Sequence, residues 1–329
     1  MSHTPSTDTR ARGKPQLALD PSARADAALG AVLQALLATI RANEAGTREA
    51  RDPEYLHDFR VAVRRTRAAL GQMKGVFPGA ETRHFRTEFA WLGQASGETR
   101  DLDVHLLHFD DLQASLPAPL RPPLEPLREI LQTRQRQAHR ALVALLDGAR
   151  YRQLLDHWAA FLAALPTPDP HPRNAARPIL VVAHERTWRA YRRVVKEGRA
   201  LGPDAPDEDF HELRKSCKKL RYLLEFFQSL FPGEIKHLIK HLKDLQENLG
   251  AHQDQVVQTA FLGELADQWQ TGGGAADTLG AIDALVTDLI RQQQASRAAF
   301  AARFETFIDA GKQVDFRALC RSTPIHHRP

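Results

Sequence analysis

Apolar residues recur at helical spacing along nearly the whole chain from Pro21 onward, in segments rich in Ala, Leu, Arg and Gln. No segment shows the alternation of β-branched or aromatic residues with polar ones that is typical of a half-buried strand. The pattern therefore predicts an all-α protein. The predicted helices cover residues 22–44, 53–75, 80–98, 101–113, 121–146, 150–164, 174–200, 207–230, 234–249, 253–269 and 276–309.

Proline interrupts this pattern most densely between Pro166 and Pro172, where four prolines fall within seven residues. A helix cannot cross such a segment, because proline lacks the amide hydrogen and clashes with the preceding turn. Each side holds five or six predicted helices, about what a helical bundle needs. We therefore predict two tandem, pseudo-symmetric helical bundles. The predicted boundaries are a disordered tail over 1–20, a first bundle over 21–165, a Pro-rich linker over 166–173, a second bundle over 174–310 and a C-terminal tail over 311–329.

One long segment of the chain occurs twice. His57–Arg67 (HDFRVAVRRTR) is repeated 154 residues later as His211–Arg221 (HELRKSCKKLR). The same offset relates the Phe-Pro-Gly tripeptide at 77–79 to the one at 231–233. A repeat of this length indicates two copies of one structural unit. In both copies a histidine leads a dense run of cations.

On a helix of about 100° per residue, each histidine shares one side with most of the cations that follow it, and the apolar residues lie opposite. Residues 57–67 carry four arginines and one aspartate, net +3, and residues 211–221 carry five Lys or Arg and one glutamate, net +4. A solvated helix face usually alternates the sign of its charges, whereas here like charges stand four residues apart, which disfavours an isolated helix. Two such faces at equivalent positions predict a polyanionic ligand rather than simple solvation.

The overall composition narrows the setting. The net charge is +5 and the isoelectric point about 9.3, a mild basic excess. Two cysteines, Cys217 and Cys320, exclude a disulfide scaffold and suit a reducing cytoplasm. The N-terminal residues lack an apolar signal segment, and no run reaches the roughly 18 apolar residues of a membrane span. We therefore expect a cytoplasmic protein with no membrane partner, and an inert Cys217 on an apolar helix face.

Inorganic polyphosphate fits the two cationic faces, because it is a flexible polyanion that offers neither bases nor sugars for recognition. Arginine forks and lysine ammonium groups on a rigid helix can hold successive phosphates while counterions are released. A histidine crowded by cations should be mostly neutral when the site is empty and should protonate more readily beside phosphate. Binding is therefore expected to weaken with salt and as the pH rises across about 6 to 8.

The repeated pattern His-x-x-Arg-x-x-x-Lys/Arg-Lys/Arg, followed by Phe-Pro, resembles the CHAD family, the conserved histidine α-helical domain. A second marker supports the resemblance: residues 97–104 align with residues 250–257, displaced by one residue from the main offset. The resemblance covers about residues 20–310. It implies two helical bundles, related by a pseudo-twofold axis, that bind inorganic polyphosphate through the basic surface between them.

Bacterial members of the family that resemble this chain associate with polyphosphate granules. The resemblance therefore implies a location at cytoplasmic granules, with granule-associated proteins as further partners. Many family members carry a fused triphosphate-tunnel domain, recognised by a Glu-x-Glu-x-Lys strand. That motif is not found in this sequence, which favours a stand-alone binding domain.

The resemblance also implies which residues hold the ligand. In the first copy they are His57, Arg60, Arg64, Arg65 and Arg67, and in the second copy His211, Arg214, Lys215, Lys218, Lys219 and Arg221. Further candidates are Arg100, Arg136, Arg140, Arg189, Arg193, Lys240 and Lys243.

Two departures from the repeat indicate that the halves need not contribute equally. Val61 stands where the second copy has Lys215, and His252-Gln253 stand where the first copy has Thr99-Arg100. Asp101 and its counterpart Asp254 are expected to cap or orient helices rather than touch an anion.

Three functions remain open. The leading one is non-enzymatic binding of inorganic polyphosphate. The second is a general polyanion or nucleic-acid binder, but the cationic faces lack exposed aromatics apart from Tyr222, so nucleic acid is not the expected partner. The third is a metal-dependent polyphosphate hydrolase that would use pairs such as Asp101 and Asp103. Because phosphate-loop and nucleophile-elbow motifs are not found, and no third ligand joins His237 and His241, we expect no catalysis, no metal and no cofactor.

Overall fold

The computed structural model describes residues 17–168, 171–202, 204–231, 233, 235–312 and 314. Within these residues the chain is helical and forms no β-strand, which confirms the predicted all-α class. The helices are α1 Ala25–Arg48, α2 Pro53–Gln72, α3 Gly79–Ala95, α4 Gly97–Leu107, α5 Phe109–Ala114, α6 Glu125–Leu146, α7 Ala149–Ala163, α8 Ile179–Ala200, α9 Asp207–Phe226, α10 Ile235–Thr271 and α11 Ala276–Lys312. Most of both predicted tails, including Cys320, lies outside the described residues.

Two predicted helix boundaries are wrong. The helices expected over 234–249 and 253–269 form one helix, α10, which runs through Gly250. A glycine inside a helix is less favourable than alanine by about 1 kcal/mol, and the packing of α10 against the equally long α11 outweighs that difference. The single helix expected over 101–113 is instead divided between α4 and α5 at His108.

The first of two compact units contains the described residues up to Val104 together with Arg134–Ile179. In this unit α1 packs against α2 and α7, and α2 also packs against α3. Trp158 of α7 is fully buried, and its ring lies 4.6 Å from that of Phe85 and 5.4 Å from that of Phe89. The helix carrying the first basic repeat, α2, is therefore fixed between two neighbours.

Among the described helices, α1 is long and apolar enough, by length and composition alone, to cross a membrane. In this structure its apolar side chains, among them Leu29, Leu33 and Ile40, are fully buried in the first unit. The same helix also buries Asn43 and Asp26. These contacts are those of the core helix of a globular unit.

The Pro-rich segment expected to be a linker over 166–173 is attached to the first unit on both sides. The buried carboxylate of Asp26 accepts a hydrogen bond from the Thr167 backbone N–H at 2.9 Å and pairs with Arg24 at 2.9 Å. Beyond the prolines, the Asn174 side chain donates to the Lys74 carbonyl and its backbone N–H donates to the Gly75 carbonyl, both at 2.8 Å. Residues 169 and 170 lie outside the described part of the chain.

The second unit contains His105–Thr133 and the described residues from Leu180 onward. The two long helices α10 and α11 form a hairpin, joined by a glycine turn in which Gly273 has φ +71°. Leu262 and Leu265 of α10 share one apolar cluster with Leu124 and Leu127. The expected first bundle over 21–165 is therefore wrong for residues 105–133, because leucines of that segment cover apolar residues of the second unit.

Helix α8 approaches α11 closely at Gly198. A Cβ atom at this position would lie 2.1 Å from the ring of Phe304, so a larger residue would force the helices apart. Phe304 in turn stacks on Phe300, which lies edge-on to Phe210 of α9. This row of aromatic rings fixes the buried face of α9, the helix of the second basic repeat, in the core of its own unit.

Candidate functional site

The first basic helix, α2, begins at an N-cap where the Asp52 carboxylate accepts from the Glu54 backbone N–H, with Pro53 at the first helical position. Its inner face is buried through residues such as Phe59 and Val63. The outer face presents Arg64 and Arg67 as exposed side chains, with His57 and Arg60 half-buried. The predicted cationic face is therefore present.

Arg60 is held firmly against the next helix. Its Nη1 atom donates to the Gly93 carbonyl at 2.7 Å and to the Ser96 hydroxyl at 2.8 Å, and that hydroxyl donates to the Leu92 carbonyl. Burial lowers the pKa of Arg60, the Asp101 carboxylate acts against this, and neighbouring arginines add to the lowering. Arg60 stays charged near neutral pH, and these bonds fix its guanidinium before any ligand arrives.

Arg65 is a predicted member of the binding set, and the structure contradicts this. Its side chain is only 1% exposed, among the largest fully buried side chains of the described chain. The helical wheel places Arg65 at the margin of the cationic face. Because α2 packs against both α1 and α3, the solvent-exposed face of α2 is narrower than the wheel implies. Arg65 is therefore a core residue and cannot contact a ligand in this conformation.

His57 lies beside Arg100, one of the further candidates. Burial lowers the pKa of His57, and the nearby Arg100 lowers it further, with Glu54 and Asp58 opposing. Arg100 is anchored at the start of α2, where it donates to the Pro53 carbonyl at 3.2 Å and lies 3.5 Å from the Glu54 carboxylate. The empty site thus favours a neutral imidazole, in the direction expected from the sequence.

Arg67 lies close to Arg86 of α3, a residue that the sequence reasoning missed. Partial burial and then the like charge of Arg86 lower the pKa of Arg67. Both side chains are exposed. The sequence did contain a signal for Arg86. A helix was predicted directly after α2, and two helices joined by a short turn usually pack side by side. The cationic face of the first unit therefore extends from α2 onto α3.

The second basic helix, α9, buries Leu213, Cys217 and Leu220 on its inner face. Burial raises the pKa of the Cys217 thiol, as expected for an inert core cysteine. His211 is half-buried, and its Nδ1 atom lies 2.6 Å from the Gln253 side-chain oxygen. The residue facing the histidine is therefore an amide in this unit, whereas it is Arg100 in the first.

Carboxylates accompany several cations of α9. Arg214 Nη2 lies 3.5 Å from Asp254, and Arg221 Nε lies 3.6 Å from Glu225. Lys215, which is exposed, forms an ion pair with Glu212. The net charge of this face is thus partly offset by its own neighbours.

Lys219 is half-buried beside Arg193 of α8. Burial lowers the pKa of Lys219, and the like charge of Arg193 lowers it further. Arg193 itself is exposed and pairs with Glu197. Of the further candidates, the structure therefore links Arg100 and Arg193 to the predicted faces. Five others, Arg136, Arg140, Arg189, Lys240 and Lys243, are exposed on α6, α8 and α10 and remain predictions.

The His252-Gln253 corner, whose role the sequence did not define, anchors the start of α9. His252 is 2% exposed, and its Nε2 atom lies 3.0 Å from the Asp207 carboxylate. Asp207 also accepts from Gln293 at 2.9 Å and from Arg297 at 3.2 Å. The corner is a structural network that includes residues of α11, and no sequence pattern points to it.

Asp101 and Asp254 occupy matching places. Asp101 raises the pKa of Arg60, and Asp254 lies beside Arg214, the equivalent arginine of the other repeat. Each aspartate thus lies near the corresponding arginine of the basic face, and its expected role in capping or orienting a helix stays a prediction. Within the described residues, no group of three or more His, Cys, Asp or Glu side chains is arranged to hold a metal ion.

Comparison with known families gives a match to one family model, described as CHAD domain, over residues 31–263. Two solved structures are similar to the chain. The crystal structure of the CHAD domain from the plant Ricinus communis is 28% identical, with 91% of this chain and 96% of that chain covered and a TM-score of 0.74. PptA from Streptomyces chartreusis is 18% identical, with 86% and 99% covered and a TM-score of 0.65, a likeness of fold alone.

Two curated relatives come from Mycobacterium tuberculosis, the uncharacterized proteins MT2285 and Rv2226. Each is 27% identical over 241 residues, which cover 72% of this chain and 45% of the relative. The chain therefore spans about half the length of the curated relatives that it matches.

Proposed function

The chain belongs to the CHAD family, and we propose that it binds inorganic polyphosphate through the exposed cations of α2 and α9, without catalysing polyphosphate turnover. One observation carries the proposal. In each unit, a half-buried histidine and the cations that follow it, except the buried Arg65, lie on the outer side of a helix whose opposite side is buried in the core. Such a helix holds its charges at fixed spacing, so ligand binding does not have to order them.

The arrangement suits a chain of phosphates. Arg64 and Arg67 are exposed on consecutive turns of α2, and Lys215 is exposed on α9 with Lys218 half-exposed. Arginine forks can bond two phosphate oxygens at once, and lysine acts as a point charge. Residues three apart on a helix stand about 4.5 Å apart along the axis, so neighbouring cations can hold nearby phosphates of one extended chain.

Polyphosphate is favoured over nucleic acid by the lack of a stacking surface on α9. Its three aromatic side chains, Phe210, Tyr222 and Phe226, are all buried. Tyr222 is the one aromatic expected on a cationic face, and it is only 4% exposed. Sequence-tolerant binding of single strands normally relies on exposed aromatic rings against which the bases stack.

The physiological setting follows from the same proposal. A protein that grips polyphosphate chains without cleaving them would accumulate where the polymer is concentrated, in cytoplasmic polyphosphate granules, beside other granule-associated proteins. Fluorescently tagged protein should therefore form foci that coincide with polyphosphate staining. Foci that persist unchanged in cells unable to make polyphosphate would contradict this location.

A competition titration tests the proposed ligand. Labelled long-chain polyphosphate bound to the purified protein is challenged with DNA, RNA and tripolyphosphate at matched phosphate concentration and near-physiological salt. Long-chain polyphosphate should compete well and the nucleic acids poorly. Displacement by DNA or RNA at equal phosphate concentration would instead indicate a general polyanion surface, and Mg²⁺-dependent shortening of the polyphosphate would indicate a hydrolase.

A further inference from the structure

The cationic face of the first unit ends in two arginines contributed by different helices, Arg67 of α2 and Arg86 of α3. Each guanidinium lies against a glycine of the other helix. A Cβ atom at Gly93 would lie 3.4 Å from Arg67 Nη1, and one at Gly71 would lie 3.8 Å from Arg86 Nε. Each arginine side chain therefore lies in the space beside a glycine of the other helix.

Neither arginine is neutralised within the described part of the chain. Arg67 and Arg86 form no hydrogen bond or ion pair with any described residue, and both are exposed. The charged group that perturbs Arg67 is Arg86 itself. Two adjacent guanidinium groups repel each other unless an anion lies between them, so this pair is more favourable with a bound oxyanion than without one.

In the second repeat, other residues occupy the positions that correspond to Arg67, Arg86, Gly71 and Gly93. The offset between repeats is 154 residues through α2 and α9, and Gly71 therefore corresponds to Glu225, which pairs with Arg221, the counterpart of Arg67. After the Phe-Pro-Gly turn the offset becomes 153, as the buried pairs Phe85/Leu238, Phe89/Leu242 and Leu92/Leu245 indicate.

With that offset, Arg86 corresponds to Ile239, which is 8% exposed, and Gly93 corresponds to Gln246, which is 7% exposed. At the position of the Arg67–Arg86 pair and its two glycines, the second unit has the Arg221–Glu225 ion pair and two buried side chains. An anion could therefore bind between the two arginines of the first unit, whereas in the second unit the Glu225 carboxylate already pairs with Arg221.

We infer that Arg67 and Arg86, lying over Gly71 and Gly93, form a phosphoryl-binding subsite that the first unit has and the second unit lacks. The subsite rests on the proposed function for the identity of its ligand, a phosphoryl group of polyphosphate. Its geometry applies to any phosphate oxyanion. It extends the track of the first unit from α2 onto α3, so the two units hold polyphosphate unequally.

Four single variants test the subsite by titration with labelled long-chain polyphosphate. Arg86→Ala removes one arm, and Gly71→Glu installs the carboxylate that the second repeat carries beside Arg221. Each should weaken binding about tenfold. The matched controls are Arg83→Ala, an exposed arginine one turn earlier on α3, and Gly71→Gln, which has the size of glutamate without its charge. Both controls should stay within about twofold, with helicity by circular dichroism unchanged in all four.

A second readout separates the subsite from the proposed function. Inorganic phosphate is titrated into the wild-type protein and the Gly71→Glu protein while the arginine Nε–Hε resonances are followed by NMR. Selective shifts at Arg67 and Arg86 in the wild type, absent in Gly71→Glu, support the subsite even if polyphosphate does not bind. Polyphosphate binding that Arg86→Ala weakens no more than Arg83→Ala overturns the subsite and leaves the proposed function intact. Absence of both polyphosphate binding and phosphate-induced shifts overturns both.

Discussion

On α2, Arg67 lies close to the exposed Arg86 of α3, whereas its counterpart on α9, Arg221, pairs with the Glu225 carboxylate. Arg65 is buried in the core of the first unit, whereas its counterpart Lys219 stays half-exposed. The same repeated pattern therefore supports, in one unit, a face of guanidinium groups that includes the hydrogen-bonded Arg60 and continues onto α3. In the other it supports a row of lysines and arginines partly neutralised by carboxylates.

The comparison shows that the net charge of each repeated segment does not give the charge that its helix face presents to solvent. The net +3 of residues 57–67 includes a buried arginine and omits Arg86, which the fold brings in from α3. The net +4 of residues 211–221 omits Glu225, which pairs with Arg221 and stands where the first repeat has Gly71. Asp101 and Asp254 lie near the equivalent arginines Arg60 and Arg214 and are omitted from both counts. We therefore expect the first unit to hold phosphate more tightly per exposed cation than the second.

Charge reversal of the exposed cations should reveal the largest difference between the two units in their contribution to polyphosphate affinity. Arg64→Glu with Arg67→Glu is expected to weaken polyphosphate binding roughly hundredfold, about 3 kcal/mol, because each change replaces an attraction with a repulsion. Lys215→Glu with Lys218→Glu should weaken it only about tenfold, since Glu212 already offsets Lys215. Fluorescence anisotropy with labelled polyphosphate measures both, and Arg152→Glu with Arg303→Glu, exposed on α7 and α11, is the charge-matched control. Equal losses in all three would contradict the site assignment.

Alanine substitution at Arg65 and at Lys219 should affect different properties. Arg65→Ala is expected to lower the free energy of unfolding by about 2 kcal/mol, because it empties part of a packed core, while polyphosphate affinity changes little. Lys219→Ala should leave stability nearly unchanged and weaken binding about threefold. Urea unfolding and the binding titration distinguish the two. A large loss of polyphosphate affinity in a stably folded Arg65→Ala protein would show that Arg65 contributes to binding after all.

The pH dependence of binding should depend on His57. Burial and Arg100 hold the pKa of His57 below its ordinary value, so the imidazole is neutral at pH 7 in the empty site. A bound phosphate favours the charged form, so affinity should rise as the pH falls through about 6.5 and below. His57→Gln should flatten that rise. A profile unchanged by His57→Gln would show that this histidine does not contact the ligand.

The same shift has an opposite consequence for the stability of the empty protein. Because the folded-state pKa lies below the unfolded value, the unfolded chain binds more protons at acidic pH. This contribution to stability is therefore present above the unfolded-state pKa of about 6.5 and is lost as the pH falls from there through the lower folded-state pKa. Added polyphosphate should reduce the loss, which thermal unfolding at pH 7 and at pH 5.5 can measure.

The smallest expected effect concerns the two aspartates beside the basic faces. Asp254→Asn should strengthen polyphosphate binding about twofold, because it removes a carboxylate near Arg214. Asp101→Asn should act in the same direction through Arg60. The binding titration at low salt is the most sensitive measurement for this change. Weaker binding in both variants would indicate that the aspartates hold the arginines in their productive positions.

The sequence was sufficient to predict the class of fold and the helices that carry the candidate site. Helical periodicity locates α2 and α9 within a few residues, because each must bury one apolar side along its length. It could not show that residues 105–133 pack within the second unit, since that depends on which apolar surfaces meet in the folded chain. Nor could it show that Gly250 lies inside a continuous helix.

The predicted exposure of the cations agrees with the structure where helix geometry alone decides exposure and differs from it where a neighbouring helix decides. Arg64 and Arg67 lie well within the solvent face of α2, whereas Arg65 lies at its margin and is covered. Arg86 was missed because it belongs to a different helix and reaches Arg67 only through the packing of α3 on α2.

Isothermal titration of long-chain polyphosphate at near-physiological salt tests the central claim most directly. The wild-type protein is compared with one in which Arg64, Arg67, Lys215 and Lys218 are all replaced by glutamate. We predict measurable binding to the wild type and none to the fourfold variant, with equal helicity in both proteins. Equal binding by the two folded proteins would contradict the account, because the ligand would then lie elsewhere than on α2 and α9.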